Sequence, residues 1–90
     1  MADRSFIDGE YIFREGESAE YVYIVKSGAV HITKITVRGE DVLVRLENPS
    51  LFGEMALIDG SPRSAGAKAY GDTVVTEVTS SAFGQYITKN

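Results

Sequence analysis

The sequence predicts a mainly β protein, an antiparallel jelly-roll barrel or sandwich with a short cassette helix in mid-chain and a short C-terminal helix. Apolar residues mostly recur with a two-residue period, which is typical of strands that are buried on one face. Turn-forming residues interrupt this period roughly every eight to twelve positions, so about seven short strands are expected. Helical spacing is confined to two short segments.

The first predicted strands lie on either side of a glycine-containing turn. Residues 10–13 form a short strand, and residues 21–25 form a strand of aromatic and β-branched residues. Ser27-Gly28 predicts a turn, and the next strand runs over residues 29–37. Apolar residues occupy even positions at its start and odd positions at its end. We therefore expect a β-bulge with an extra residue near Thr33-Lys34.

The middle of the chain combines one more strand with a helical turn. Val42, Val44 and Leu46 alternate with other residues and share one face of a strand. Residues 48–50 contain a proline and end that strand. Residues 54–58 then form about one helical turn, because Gly and Pro follow directly and stop it.

A hairpin and the beginning of a helix are predicted for the last third of the chain. Alternating alanines predict a strand over residues 65–69, and Gly71-Asp72 predicts a two-residue hairpin turn. The following strand has one face lined by Val74, Thr76 and Val78. Ser80-Ser81 is predicted to cap a short helix, in which Phe83, Tyr86 and Ile87 follow at helical spacing.

Length and composition limit the class of protein. The 90 residues predict a single domain over positions 1–90 with a modest core. A formal net charge of −4 argues against direct nucleic-acid binding, which needs a basic face. The absence of cysteine excludes disulfides and Cys-based sites. No signal segment and no apolar run of about 20 residues is visible, so we expect a cytoplasmic protein without a membrane segment.

The only histidine weighs against an enzyme. His31 lies between Val30 and Ile32 in a predicted strand and should point away from their face. Jelly-roll enzymes of the cupin type usually hold a metal with several histidines and a carboxylate, and one histidine cannot supply that set. We expect no catalytic residue, no metal and no cofactor. A metal-dependent enzyme of the cupin type is the remote alternative.

The chemistry of the chain is concentrated in residues 52–65. Gly53 permits a close backbone approach, and the amides after it open the short helix, where anions are attracted. Arg63 can hold two phosphate oxygens in a bidentate fork, and Ser64 and the Ala65 amide add neutral donors. Glu54 would repel a second phosphate but would accept a hydrogen bond from a ribose 2′-hydroxyl. One cation and one anion therefore suit a singly charged phosphodiester attached to a ribose.

This segment resembles the phosphate-binding cassette of cyclic nucleotide-binding domains. The family pattern is approximately Phe-Gly-Glu-x-Ala-Leu, a short loop and Pro-Arg-x-Ala, and the chain has Phe-Gly-Glu-Met-Ala-Leu at 52–57 and Pro-Arg-Ser-Ala at 62–65. The resemblance covers nearly the whole chain, because upstream residues are similar to the first four strands of the family: Gly9, Ile12-Phe13, Gly16-Glu17, Tyr23-Ile24, Gly28 and Val30.

The resemblance implies a role for each matching position. Glu54 would bind the ribose 2′-hydroxyl, and Arg63 would bind the cyclic phosphate. The phosphate would also meet Ser64 and the amides of Gly53, Met55 or Ala56, and Ala65. Ile32 and Val44 would form part of the apolar wall beneath the base.

A regulatory sensor is the function that the resemblance implies. It would bind a cyclic nucleotide without changing it, with cAMP favoured over cGMP, and would signal through the C-terminal helix to an effector domain or protein outside this sequence. Two departures from the family motivate an alternative, a protein-interaction jelly roll that no longer binds nucleotide. Only the beginning of the usual C-terminal helix over the base is present, and Gly66 replaces a larger residue.

Overall fold

The computed structural model describes residues 1–89, with the side chains of Tyr86, Thr88 and Lys89 outside the description. In chain order the elements are β1 (Ala2–Phe6), β2 (Tyr11–Phe13), β3 (Tyr21–Thr36), β4 (Gly39–Glu47), β5 (Ser50–Phe52), α1 (Glu54–Asp59), β6 (Gly66–Thr79) and α2 (Ser80–Lys89). All strand pairs are antiparallel. The predicted class, a mainly β jelly roll with two short helices, is confirmed.

Two long strands build both layers of the jelly roll. The first half of β3 pairs with β5 and with the second half of β6, which also pairs with β1. The second half of β3 pairs with β4 and with the first half of β6, which also pairs with β2. Each long strand therefore passes from one layer into the other, and the two layers enclose the core.

The turns predicted at Ser27-Gly28 and Gly71-Asp72 are wrong, because both segments are bends within continuous strands. The β3–β6 register shifts on both sides of Ser27, and Gly28 has a φ of 79°. The Thr73 hydroxyl donates to the Ala29 carbonyl at 2.9 Å and accepts from the Ala29 amide at 3.3 Å, which joins the strands across the bend. The glycines signal a left-handed backbone correctly, but pairing with the partner strand keeps the chain extended.

The β-bulge predicted near Thr33-Lys34 of β3 occurs opposite this position, on the paired strand β4. Ile32 pairs with Val44, whereas the next residue, Thr33, pairs with Val42. The extra residue is therefore Leu43 on β4, and its side chain is exposed. Sequence parity detects that the alternation changes, but it does not say which of the two paired strands holds the additional residue.

The core consists of two clusters on opposite sides of the first half of β3. The larger cluster fills the barrel and comprises Phe6, Phe13, Tyr23, Val25, Val30, Phe52, Ala67, Ala69 and Val75. The second cluster consists of Val22, Val78 and Phe83. The sequence predicts that Val74, Thr76 and Val78 line one face of this strand. The opposite face is buried as well, since Val75 has no exposed surface and belongs to the larger cluster.

Helix α2 begins directly after β6. The Ala82 amide donates to Thr79 Oγ1 at 3.1 Å, so Thr79 caps the helix one residue before the predicted Ser80-Ser81. Phe83 anchors α2 in the second cluster, and Ile87 is exposed. The predicted contribution of Tyr86 lies outside the described side chains. No helix in the described residues is long and apolar enough to span a membrane.

Candidate functional site

Gly53 opens the cassette helix and lies directly over Arg63. Its φ is 82°, and α1 follows from Glu54 to Asp59, as predicted for residues 54–58. A Cβ on Gly53 would lie 2.8 Å from Nη1 of Arg63 and 3.3 Å from the Phe13 ring. Position 53 therefore requires glycine for two reasons: the backbone is left-handed, and the guanidinium occupies the space that a side chain would need.

Arg63 is a buried cation without an acidic partner. Its side chain is 4% exposed, and the guanidinium lies 4.0 Å from the centroid of the Phe13 ring. Nη1 donates to the Gly53 carbonyl at 2.6 Å and Nη2 to the Tyr21 carbonyl at 2.7 Å. Nε has no hydrogen-bond partner. Burial lowers the pKa of Arg63 because the charged form is desolvated.

No carboxylate lies within ion-pair distance of Arg63 in residues 1–89. Two carbonyl dipoles, the Phe13 ring face and the Glu17 carboxylate, which acts from beyond ion-pair distance, compensate the charge only in part. A buried charge normally has a counter-ion, so this arrangement favours the approach of an anion.

An open cleft of about 280 Å³ lies between the cassette and the sheet. The following residues predicted for the site line it: Ile32, Gly53, Glu54, Met55, Ala56, Arg63, Ser64 and Ala65. Val44 pairs with Ile32 across the sheet and is 45% exposed, and it does not line the cleft. The cleft is polar on the cassette side and apolar on the sheet side.

Sequence reasoning missed four apolar residues of the cleft: Phe13, Leu46, Leu51 and Phe52. Leu46 shares the predicted strand face with Val44, and it packs against the main core while Val44 does not. The two-residue period identifies that face, but it cannot tell which residue on it meets the cassette. The cassette pattern includes Phe52, but it does not predict that this ring lines the cleft.

The Glu54 carboxylate is available for a ligand. Glu54 lies in the first turn of α1, is half-buried and lines the cleft. Among the described residues, none donates a hydrogen bond to its side chain. A carboxylate that is held on a helix and has free lone pairs can accept a hydroxyl hydrogen bond.

Gly66 has a packing explanation. It is buried, and a Cβ there would lie 2.9 Å from Thr33 Oγ1 and 3.5 Å from the Tyr11 ring. Thr33 is itself buried, so little room is left for a larger residue at position 66. This departure from the family pattern therefore reflects contacts with β2 and β3.

His31 lies apart from the cassette. His31 stacks on Tyr70 with ring centroids 4.4 Å apart and does not line the cleft. Within the part of the chain that the structure describes, no group of three or more His, Asp or Glu residues could hold a metal ion.

Comparison with known proteins identifies the family. The family model of the cyclic nucleotide-binding domain matches residues 3–90. The chain belongs to this family. A cAMP-dependent protein kinase regulatory subunit of Dictyostelium discoideum is 34% identical over 85 residues, which cover 90% of this chain and 26% of the relative. A cyclic AMP receptor protein of Thermus thermophilus is 38% identical over 71 residues, which cover 78% of this chain and 33% of the relative.

Solved structures agree with this assignment. The cGMP-bound EAL enzyme Bd1971 superposes with a TM-score of 0.91 at 30% identity, over 99% of this chain and 24% of that chain. The Thermus thermophilus catabolite activator protein gives a TM-score of 0.87 at 32% identity, over 98% of this chain and 42% of that chain. This cyclic nucleotide-binding domain therefore spans less than half the length of each of these four proteins.

Proposed function

We propose that this cyclic nucleotide-binding domain is a cytoplasmic regulatory sensor that reversibly binds a cyclic nucleotide, with cAMP favoured over cGMP, and leaves it chemically unchanged. The observation that carries the proposal is Arg63, a buried guanidinium with an unpaired Nε at the edge of an open cleft. A cyclic phosphate carries one negative charge, which matches this one cation. Ser64 and the Ala65 amide, which also line the cleft, would complete the phosphate site.

Glu54 favours a ribose over a further phosphate. Its carboxylate lines the same cleft as Arg63 and would repel the additional charge of a di- or triphosphate. A ribose 2′-hydroxyl can donate to it instead. The combination supports a nucleoside whose single phosphate is closed into a ring.

The apolar side of the cleft would receive the base. Ile32, Leu46 and Leu51 offer surface that a purine can cover. Relatives named for cAMP favour cAMP as the ligand. Bd1971 has been solved with cGMP and with cAMP, so both nucleotides need to be compared.

Two contacts could transmit ligand binding to α2. Leu57 on α1 packs against the second core cluster, which contains Phe83 of α2. Arg63 donates to the Tyr21 carbonyl, and Tyr21 pairs with Thr79, which caps α2. A ligand that draws α1 and Arg63 together would shift the population of α2 positions. An effector domain or protein outside these residues would read that change.

Isothermal titration calorimetry with cAMP and with cGMP tests the proposed binding. We expect saturable heat for at least one nucleotide and an accompanying rise in thermal midpoint, because a ligand that binds the folded state stabilises it. Absence of both signals at millimolar nucleotide would reject the sensor. That result would favour the protein-interaction jelly roll, although the open cleft argues against it.

Substitution Glu54→Gln should weaken cAMP binding about fivefold, because a charge-assisted hydrogen bond of about 2 kcal/mol becomes a neutral one of about 1 kcal/mol. Calorimetry with 2′-deoxy-cAMP completes a double-mutant cycle. Removing the hydroxyl should weaken binding by the wild type more than binding by the variant, because glutamine still accepts a neutral hydrogen bond. Glu47→Gln is the matched control, since Glu47 is an exposed carboxylate that pairs with Arg45. Equal losses on deoxygenation in all three proteins would contradict a contact between Glu54 and the ribose.

A further inference from the structure

The segment after α1 is held at three points, two on the loop between β2 and β3 and one on strand β3. The Gly16 amide donates to the Arg63 carbonyl at 2.8 Å, and the Arg63 amide donates to the Glu17 carbonyl at 2.8 Å. Lys34 Nζ on β3 donates to the Ser64 carbonyl at 2.6 Å. The first two contacts join main chain to main chain, whereas the third depends on one side chain.

Lys34 is itself held in place from the other side. Its Nζ lies 2.9 Å from Oε2 of Glu15, and the second oxygen of Glu15 accepts the Ile35 amide at 3.3 Å. These two contacts, with the Lys34 hydrogen bond the larger cause, hold the pKa of Glu15 below its usual value. A carboxylate bound at both oxygens fixes the ammonium more firmly than an isolated surface pair does.

We propose that Lys34 is a positioning residue for the phosphate site, acting with Glu15 on the Ser64 carbonyl. This inference rests on the proposed function of the cleft. Lys34 does not line the cleft, so it would act through Ser64, whose position orients the Ser64 hydroxyl and the Ala65 amide toward a phosphate. Holding these donors before the ligand arrives reduces the ordering cost of binding.

Geometry rather than net charge would explain the effect of Lys34. Glu15 neutralises the ammonium within 2.9 Å, so little long-range attraction for an anion remains. The two explanations differ in what they predict for Glu15. If Lys34 positions Ser64, loss of Glu15 should weaken nucleotide binding. If Lys34 merely supplies positive charge, loss of Glu15 should strengthen it.

The affinity test uses Lys34→Met with Lys26→Met as the matched control. Lys26 is also a β3 lysine in an ion pair, with Asp3, and does not line the cleft. We expect Lys34→Met to weaken cAMP binding about fivefold, mainly through faster dissociation, and Lys34→Arg to restore it. Lys26→Met should bind like the wild type. Unchanged affinity in Lys34→Met, or an equal loss in Lys26→Met, would overturn the proposal.

Substitution Glu15→Gln separates positioning from attraction. Calorimetry with cAMP should give an affinity about threefold weaker than wild type, because the neutral amide holds Lys34 less firmly. Tighter binding would overturn the positioning role and favour simple electrostatic attraction.

A measurement on the free protein tests the same role without any ligand. We expect the ¹⁵N order parameters of the Ser64 and Ala65 amides to fall in Lys34→Met and to stay unchanged in Lys26→Met. Order parameters that do not differ between the two variants would overturn the proposal. If the wild type binds neither nucleotide, the proposed function fails, and these order parameters still decide whether Lys34 holds Ser64.

Discussion

Replacing Arg63 with methionine should weaken cAMP binding at least about thirtyfold, which corresponds to about 2 kcal/mol. Methionine keeps the apolar stem beside the Phe13 ring but removes the donors and the charge. The phosphate would then enter the cleft without a buried counter-ion, and its desolvation would be poorly compensated. The free protein loses two hydrogen bonds to carbonyls but also loses a buried charge, so its stability should change less than its affinity.

Two further variants sharpen this result, with calorimetry and thermal unfolding as the measurements. Arg63→Lys retains the charge, but lysine lacks the planar fork with which arginine can contact both carbonyls and a phosphate. We therefore expect an affinity between those of the wild type and Arg63→Met. Arg45→Met is the control, because Arg45 lies on β4, pairs with Glu47 and does not line the cleft. Equal affinity in Arg63→Met and wild type would show that the phosphate site lies elsewhere.

The largest expected effect on stability is that of Gly28→Ala, at least about 3 kcal/mol of unfolding free energy. The new Cβ would lie 2.3 Å from the Asp72 carbonyl oxygen and 2.8 Å from the Thr73 Cα, and its residue would keep a φ of 79°. Both contacts involve the main chain of β6, so no side-chain rotation relieves them. Separating the strands here would also break the Thr73 hydroxyl bonds to Ala29.

Urea and thermal unfolding monitored by circular dichroism measure this loss. A midpoint at least about 12 °C lower is expected for a domain of this size. Gly71→Ala is the matched control, because Gly71 has a similar φ of 74° but no atom within 4 Å of an added Cβ. It should cost only the backbone strain, about 1 kcal/mol. Similar losses in both variants would mean that the close approach of β6 to Gly28 does not limit stability.

The cassette could be predicted well because its information is local. Gly53, Glu54 and Arg63 lie within one short segment, and the helix between them follows from the turn residues that end it. The two-residue period likewise predicted most strands, because each strand has one face on the core. These features depend on neighbours along the chain, which any sequence displays.

The sheet-side wall of the cleft could not be predicted in the same way. Val44 and Leu46 share one strand face, and only the distance of each from the core decides which one lines the cleft. The bulge residue Leu43 directly precedes Val44, and its assignment to β4 depends on pairing with β3. The contact between Lys34 and the Ser64 carbonyl could not be predicted either, since nothing near Lys34 in sequence reveals it.

The sequence by itself determined the jelly-roll class, the cassette and the presence of one cation and one carboxylate within it, because spacing and chemical type are properties of the chain. Tertiary structure alone decided three other matters. It made Gly28 and Gly71 bends rather than reversals, placed Leu46 rather than Val44 in the cleft, and left Arg63 buried between two carbonyls with Nε unpaired. Each of these three outcomes depends on which distant residues meet across the sheet. Only when those partners come together are the backbone groups hydrogen-bonded and the apolar side chains buried.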